Sequence, residues 1–245
     1  RSGAGRRRPG DPLAAGREKI VKPSLLCLPA GLVSYAEGLS LQKQARTLVE
    51  EGKYDGVLLL LEHRPVITAG RSGGRENLLA SPAELADAGV EFAESDRGGN
   101  VTCHNPGQLV GYPILNLVRW KQDVHWYVDR LEEVLIRTLA EYGVHAGRKA
   151  RYTGVWVGNS KITAIGVSVR HWITGHGFAL NVRNDLDLFR SIVPCGIEEF
   201  GVTSLQRLGV DVTLQEIAVC LSNQFCEVFD ARFATEPREG RHGEE

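Results

Sequence analysis

Three consecutive strand-like segments in the second half of the chain constrain its fold most strongly. They run from Tyr152 to Val157, from Lys161 to Val169 and from Ile173 to Asn181, and they are rich in β-branched and aromatic residues. Gly158-Asn159-Ser160 supplies the turn residues that join the first two as a hairpin. The chain is therefore expected to contain a sheet with at least one antiparallel pair.

Helical patterns lie on both sides of these strands. A helix is expected to begin after Ser34, where Glu37 completes a capping box, and another after Ser81 with Pro82 at its first turn. Longer apolar stripes at helical spacing run from Asp123 to about Tyr142 and from Leu214 to Val228. Further strands are predicted at Leu25 to Leu28, Gly56 to Leu61, within His63 to Arg71, and at Leu109 to Leu117. Together they predict an α+β fold of mixed sheets flanked by helices, in a single domain over residues 23–234.

Composition narrows the functional classes. A net charge of −1 gives no global attraction to nucleic acid or to an anionic membrane, and no apolar run approaches the length of a membrane span. The five cysteines form no CxxC, which disfavours a disulfide framework and a structural zinc site and favours a reducing, cytoplasmic compartment. Residues 1–22 and 235–245 are expected to be disordered tails. The first is Arg-rich, so a mitochondrial transit remnant is the alternative.

A lysine and a cysteine are candidates for a reactive pair. Cys195 lies between Pro194 and Gly196, in a tight turn where its sulfur can face a cleft. Lys161 opens a predicted strand and, by alternation, is expected to share a face with Ile165 and Val167. The competing interpretation is a small buried cysteine and a solvated lysine, which is the commoner role of each residue type.

A second candidate stretch runs from Asp96 to Gln108. Its paired glycines allow backbone amides to approach a ligand closely, and the turn at Asn105-Pro106-Gly107 is expected to place His104 and Gln108 around one cavity. A purely structural turn is the alternative. The stretch matches neither a GxGxxG fingerprint nor a phosphate-binding loop. Further along, His176 lies between Gly175 and Gly177, which leave open space that a ligand could fill.

Several ordered blocks of the sequence resemble the lipoyl(octanoyl) transferases. The blocks are Arg97-Gly98-Gly99 with Val101-Thr102, His104 and Pro106-Gly107-Gln108-Leu109; Thr153-Gly154-Val155-Trp156; Lys161-Ile162 with Ala164-Ile165-Gly166-Val167; His176-Gly177 with Ala179-Leu180-Asn181; and Val193-Pro194-Cys195-Gly196. The resemblance implies the fold of the biotin/lipoate protein ligase superfamily. It also implies that Cys195 is the acyl-thioester nucleophile and that Lys161 lowers the pKa of Cys195 and is a candidate base.

The resemblance further implies a substrate cleft lined by three segments of the chain. These are Arg97, Gly98, Gly99, Asn100, Val101, Thr102, Cys103 and His104; Ala164, Ile165 and Gly166; and Gly177, Phe178 and Ala179. The family usually has tyrosine where this chain has Cys103 and glycine where it has Asn105. The first departure is expected to remove a ring and a hydroxyl from the cleft wall. The second is tolerated because asparagine adopts left-handed backbone angles.

The expected reaction has two steps and two protein-borne substrates. Octanoyl passes from the phosphopantetheine of an acyl carrier protein to Cys195, and then to a lysine of lipoyl-accepting domains of 2-oxoacid dehydrogenases and glycine cleavage proteins. Neither ATP, nor a metal, nor another cofactor is expected, and the chain is expected to be a monomer. The alternatives are an ATP-dependent lipoate or octanoate ligase, a non-catalytic module that binds lipoyl domains, and a Cys/His hydrolase.

Overall fold

A computed structural model describes residues 21–193 and 200–237 of the 245-residue chain. The tails predicted to be disordered lie almost entirely outside these residues, and so does Cys195. No helix among the described residues has the length and apolar character needed to cross a membrane.

The structure contains twelve strands and four α-helices within the described residues. The strands are β1 (Ser24–Val33), β2 (Gly56–His63), β3 (Val66–Ala69), β4 (Glu91–Glu94), β5 (Val101–His104), β6 (Gln108–Leu115), β7 (Gly147–Lys149), β8 (Tyr152–Val157), β9 (Ser160–Arg170), β10 (Ile173–Asn181), β11 (Gly201–Val202) and β12 (Arg232–Phe233). The helices are α1 (Tyr35–Glu50), α2 (Pro82–Asp87), α3 (Val124–Ala140) and α4 (Leu214–Val228).

Two mixed sheets carry the fold. The larger has the order β12-β1-β2-β6-β10-β9-β8-β7, with β11 paired to β9, and the smaller has the order β4-β3-β5. In the larger sheet, β1 pairs in parallel with β2 and β12, whereas the pairs from β2 to β8 are antiparallel. The three predicted strands of the second half are thus confirmed, and so is the α+β class.

The central strand β2 is buried on both faces because alternate side chains enter different cores. Leu58 and Leu60 belong to the main core, which α3 and α4 complete, whereas Leu59 and Leu61 pack with α1 on the opposite face. A continuous apolar run is the pattern expected of such a strand. The large sheet therefore has helices on both sides, and the α1 side also faces the small sheet.

The helix caps follow the sequence signals closely. Ser34 and Ser81 each accept a hydrogen bond from the backbone of the glutamate three residues on, and each glutamate closes the capping box. The Leu25 to Leu28 prediction was too short, because the pairing of β1 with β2 continues past Pro29 through a register shift. The predicted turn at Asn105-Pro106-Gly107 is present, but the sequence did not indicate β5, the short strand before it.

Candidate active site

A cavity of about 390 Å³ lies on the α1 side of the large sheet. The floor comes from β6, β9 and β10, and the opposite wall comes from β5 with the loop that precedes it. Small or apolar side chains at Val110, Ala164 and Ala179 form much of its lining, while Lys161 and Arg97 bring positive charge. It has the character of a small-molecule cleft whose surface is mostly apolar, with polar groups at defined places.

Most of the residues implied by the family resemblance line this cavity. They are Arg97, Gly99, Asn100, Val101, Thr102, His104, Lys161, Ala164, Ile165, Gly166, Gly177, Phe178 and Ala179. The antiparallel pairing of β9 with β10 sets Gly166 beside Gly177 and Ala164 beside Ala179. The two motifs therefore meet because the strands pair in this register.

Gly98 and Cys103 do not line the cavity. Gly98 donates its N–H to Val167 O at 2.9 Å, which fastens the loop before β5 to β9. Strand alternation turns Cys103 away from the cavity into the core of the small sheet, next to Ile67 and Phe189. Its thiol is fully buried, and burial raises its pKa. The expectation that cysteine in place of tyrosine removes a ring from the cleft wall is therefore wrong.

A β-bulge decides which way Lys161 faces. Val155 pairs with Thr163 but Trp156 pairs with Lys161, so β9 has one extra residue at this point. As a result Lys161 lines the cavity with Ala164 and Gly166, although simple alternation grouped it with Ile165 and Val167. The latter two pack against the main core, although Ile165 also reaches the lining.

The ammonium of Lys161 lies against an aromatic cluster. Its Nζ is 4.9 Å from the ring centroid of Trp156, within the range of a cation–π contact. Trp156 is almost fully buried and also packs edge-on against Phe200, at 5.4 Å between centroids. Phe200 is the first described residue after the 194–199 segment, so this cluster connects Lys161 to the C-terminal flank of that segment.

Arg97 is a buried cation held in place by a neighbouring strand. Its Nη2 donates to Thr68 O at 2.6 Å and to Thr68 Oγ1 at 2.8 Å, and only 8% of the residue is exposed. Charge-assisted hydrogen bonds of this kind fix the guanidinium against β3. The cavity wall therefore carries a rigid positive charge.

The histidines beside the cavity are uncharged at neutral pH. Burial lowers the pKa of His104 to about 3 and that of His63 to about 4. His104 donates from Nδ1 to Gln108 Oε1 at 2.7 Å, so Gln108 fixes the ring from behind and does not itself line the cavity. The prediction that both residues surround one cavity is therefore correct for His104 only.

Several lining residues carried no motif signal strong enough to select them. Tyr35 comes from α1, Tyr112 from β6, and Arg151 from the turn before β8. His176 also lines the cavity; its flanking glycines indicated open space, but nothing in the sequence located its ring. Among residues 21–193 and 200–237, no cluster of three or more His, Cys, Asp or Glu is arranged to hold a metal ion.

Cys195 falls in residues 194–199, outside the described part of the chain. The described residues on each side of this segment in the sequence connect to the cavity lining. Val193 donates its N–H to Asn77 O at 2.8 Å, and Asn77 in turn donates to Asn100 Oδ1 at 3.0 Å. On the other side, Val202 pairs with Lys161.

We expect Gly154→Ala to destabilise the fold around Lys161. Gly154 has φ +124°, and a Cβ there would lie 2.5 Å from Thr163 O and 3.6 Å from Lys161 Cε. Strain and the clash should together lower the free energy of unfolding by at least about 3 kcal/mol. Gly158→Ala is the matched control: its φ is +56° and nothing lies within 4 Å, so it should cost only about 1 kcal/mol. Urea unfolding measures both, and equal losses would contradict the role given to the contact with Thr163.

The sequence matches the family described as lipoyl protein ligase A/B catalytic domain over residues 34–226. The octanoyltransferase of Clostridium kluyveri is 51% identical over 199 residues, covering 81% of this chain and 85% of that protein. The octanoyltransferase of Caldanaerobacter subterraneus subsp. tengcongensis is 49% identical over 206 residues, covering 84% and 90%.

Solved structures are similar in fold at much lower identity. The crystal structure of lipoate-protein ligase A bound with ATP superimposes with a TM-score of 0.68 at 19% identity, over 87% of this chain and 88% of that one. A bipartite lipoate protein ligase from Thermoplasma acidophilum gives a TM-score of 0.65 at 18% identity, over 87% and 86%. The expected superfamily fold is thereby confirmed.

Proposed function

This chain belongs to the lipoyl protein ligase A/B catalytic-domain family and is an acyltransferase, and on that premise we propose that it transfers octanoyl groups through a thioester on Cys195. The donor is octanoyl-acyl carrier protein, and the acceptor is the lysine amine of a lipoyl-accepting domain. The observation that carries the proposal is the cavity itself. It is a largely apolar cleft with the Lys161 side chain in its wall. Lys161 pairs with Val202 on one flank of the 194–199 segment, and Asn100 is connected through Asn77 to Val193 on the other flank.

The first step moves the acyl group onto the enzyme. The Cys195 thiolate attacks the thioester carbonyl and a new C–S bond forms. The phosphopantetheine thiolate leaves with the carrier protein and takes up a proton from the Lys161 ammonium, which becomes a neutral amine. One thioester replaces another, so the step needs no nucleotide. The ammonium of Lys161 stabilises the Cys195 thiolate, because a nearby cation lowers a cysteine pKa.

The second step moves the acyl group to the acceptor. The lysine amine of the lipoyl-accepting domain attacks the Cys195 thioester, the C–S bond breaks, and an amide forms while the thiolate is regenerated. Lys161, a neutral amine after the first step, takes the proton that the attacking amine must lose and becomes an ammonium again. The amide is more stable than the thioester, so the overall transfer is favourable.

The cleft serves these steps by fixing the acyl chain. Val110, Ala164 and Ala179 offer apolar surface, and burying each methylene of an acyl chain contributes about 0.8 kcal/mol. Arg97 and Lys161 lie at the same cavity, so negative charge that develops on sulfur or on the carbonyl oxygen meets positive charge in a partly dehydrated site.

We expect the protein to octanoylate a lipoyl domain in the absence of nucleotide. The assay mixes the chain with octanoyl-acyl carrier protein and an unmodified lipoyl domain, and intact-protein mass spectrometry follows a gain of one octanoyl group on the domain. A lipoyl domain with its acceptor lysine changed to arginine is the control and should stay unmodified. Modification that requires free octanoate and ATP would instead identify a ligase.

A further inference from the structure

His176 has an unusual backbone conformation for its position. It lies in the middle of β10 and only 4% of it is exposed, yet its φ is +55°. A non-glycine residue in the left-handed region is strained, and such strain persists only where the surroundings enforce it. Strained residues concentrate at functional sites, so the contacts of His176 are informative.

The surroundings hold both the backbone and the ring of His176. Its N–H donates to Gln42 Oε1 of α1 at 2.9 Å. Its Nε2 donates to Asp96 Oδ1 at 2.6 Å. The next residue, Gly177, packs so closely on β6 that a Cβ there would collide with Gly111 O and with Pro113 Cδ. The imidazole is therefore fixed at one end of the cavity that it lines.

Strand register places this ring far from Lys161 along the cleft. His176 pairs with Val167, six residues along β9 from Lys161, and the bulge takes up one of the six. The remaining five residues each extend the strand by about 3.3 Å, so His176 and Lys161 are separated by about 17 Å along β9. An octanoyl chain has seven C–C bonds of about 1.5 Å and spans about 9 Å when extended. An octanoyl chain that begins beside Lys161 therefore ends about 8 Å short of the level of His176, and a chain of about fourteen carbons would reach it.

The end of the cleft near His176 is closed by rings and by one hydrogen bond. The rings of Tyr112 and His176 meet edge to face with centroids 6.1 Å apart, and Tyr112 is held through its hydroxyl by His63 Nε2 at 2.6 Å. The bond from His176 to Asp96 joins β10 to the loop that carries Arg97 and Gly99, which is the other wall of the cavity. Burial lowers the pKa of His176, so at neutral pH the ring is uncharged and compatible with a methyl group.

We propose that His176, held by Gln42 and Asp96, is the end wall of the acyl cleft and sets the longest acyl chain that the cleft accepts, about fourteen carbons. This inference rests on the proposed octanoyl transfer and adds to it an upper limit on chain length. His176 acts here as a specificity residue and takes no part in bond making.

His176→Gly tests this wall without straining the backbone, since glycine adopts φ +55° freely. The variant and the wild-type chain are each given an equimolar mixture of octanoyl-, tetradecanoyl- and hexadecanoyl-acyl carrier protein, and the acyl-enzymes are quantified by intact mass. We expect the ratio of hexadecanoyl to octanoyl enzyme to rise at least tenfold in His176→Gly. Asp96→Ala removes the hydrogen bond that holds His176 but keeps the imidazole ring, so it should raise the same ratio to a smaller extent.

His171→Gly is the matched control. His171 also has a positive φ, +52°, but it is exposed at the tip of the β9–β10 hairpin and does not line the cavity. Its acyl-length profile should equal that of the wild type. Wild-type preferences in both His176→Gly and Asp96→Ala, with acyl-enzyme still formed, would overturn the end-wall inference and leave the proposed function intact. Failure of the wild-type chain to form any acyl-enzyme would instead refute the proposed function.

Discussion

The Cys195→Ala protein is expected to gain no octanoyl group when it is mixed with octanoyl-acyl carrier protein, whereas the wild-type chain gains one. Alanine has no nucleophilic atom, so the covalent intermediate cannot form and the two-step route is lost. Removing the nucleophile of a covalent enzyme typically lowers the turnover rate by at least about a thousandfold. Intact mass spectrometry measures the octanoyl adduct on the enzyme, and the rate of octanoyl transfer to a lipoyl domain measures turnover.

Cys220→Ala provides the control for this prediction. Cys220 lies on α4 and is not among the residues that line the cavity, and burial raises the pKa of its thiol. A thiol with a raised pKa carries little thiolate at pH 7 and is a poor nucleophile. The Cys220→Ala protein should therefore form the acyl-enzyme normally. An octanoyl adduct on Cys195→Ala would show that another residue carries the acyl group and would remove the central assignment.

Much of the fold was predictable because local signals and tertiary packing agree. Ser34 with Glu37, and Ser81 with Pro82, marked two helix starts, and the β2 run of six apolar residues marked a strand buried on both faces. Where local signals were weak, prediction failed. The strand β5 follows two glycines and precedes a turn, so its four residues were hidden by the stronger turn signals around them.

The site was predictable where it depends on motif identity and unpredictable where it depends on register. The resemblance named most of the lining residues, but the bulge that turns Lys161 towards Ala164 is a pairing between strands and leaves no trace in a period-two pattern. Cys103 shows the converse error. Its place in the motif predicted a side chain in the cleft wall, but alternation within β5 directs the side chain into the core of the small sheet.

Replacing Lys161 by methionine is expected to slow alkylation of Cys195 at pH 7 by about tenfold. Loss of a neighbouring cation moves a cysteine pKa up towards its ordinary value of about 8.5, and one pKa unit changes the thiolate fraction at pH 7 about tenfold. Above about pH 10 both proteins carry thiolate, so their rates should converge. The experiment measures iodoacetamide incorporation at Cys195 against pH by peptide mass spectrometry.

Lys149→Met is the matched control for Lys161→Met. Lys149 also contacts the aromatic cluster, with Nζ 3.6 Å from the ring centroid of Phe200 and 5.3 Å from that of Trp156, but it does not line the cavity. A general loss of packing in the cluster would slow both variants, whereas a direct electrostatic role slows only Lys161→Met. Equal rates at pH 7 for Lys161→Met and the wild type would show that Lys161 does not tune Cys195.

Lys161→Arg separates the two roles assigned to this residue. Arginine keeps the positive charge but does not lose its proton at accessible pH, so it can stabilise a thiolate but cannot act as a base. Alkylation of Cys195 should therefore stay within about threefold of the wild-type rate, because a cation remains nearby. Transfer from the acyl-enzyme to the lysine amine should fall at least about a hundredfold, the usual contribution of a general base. If Lys161→Arg transfers at the wild-type rate, the proton of the attacking amine leaves by another route and Lys161 acts only through its charge.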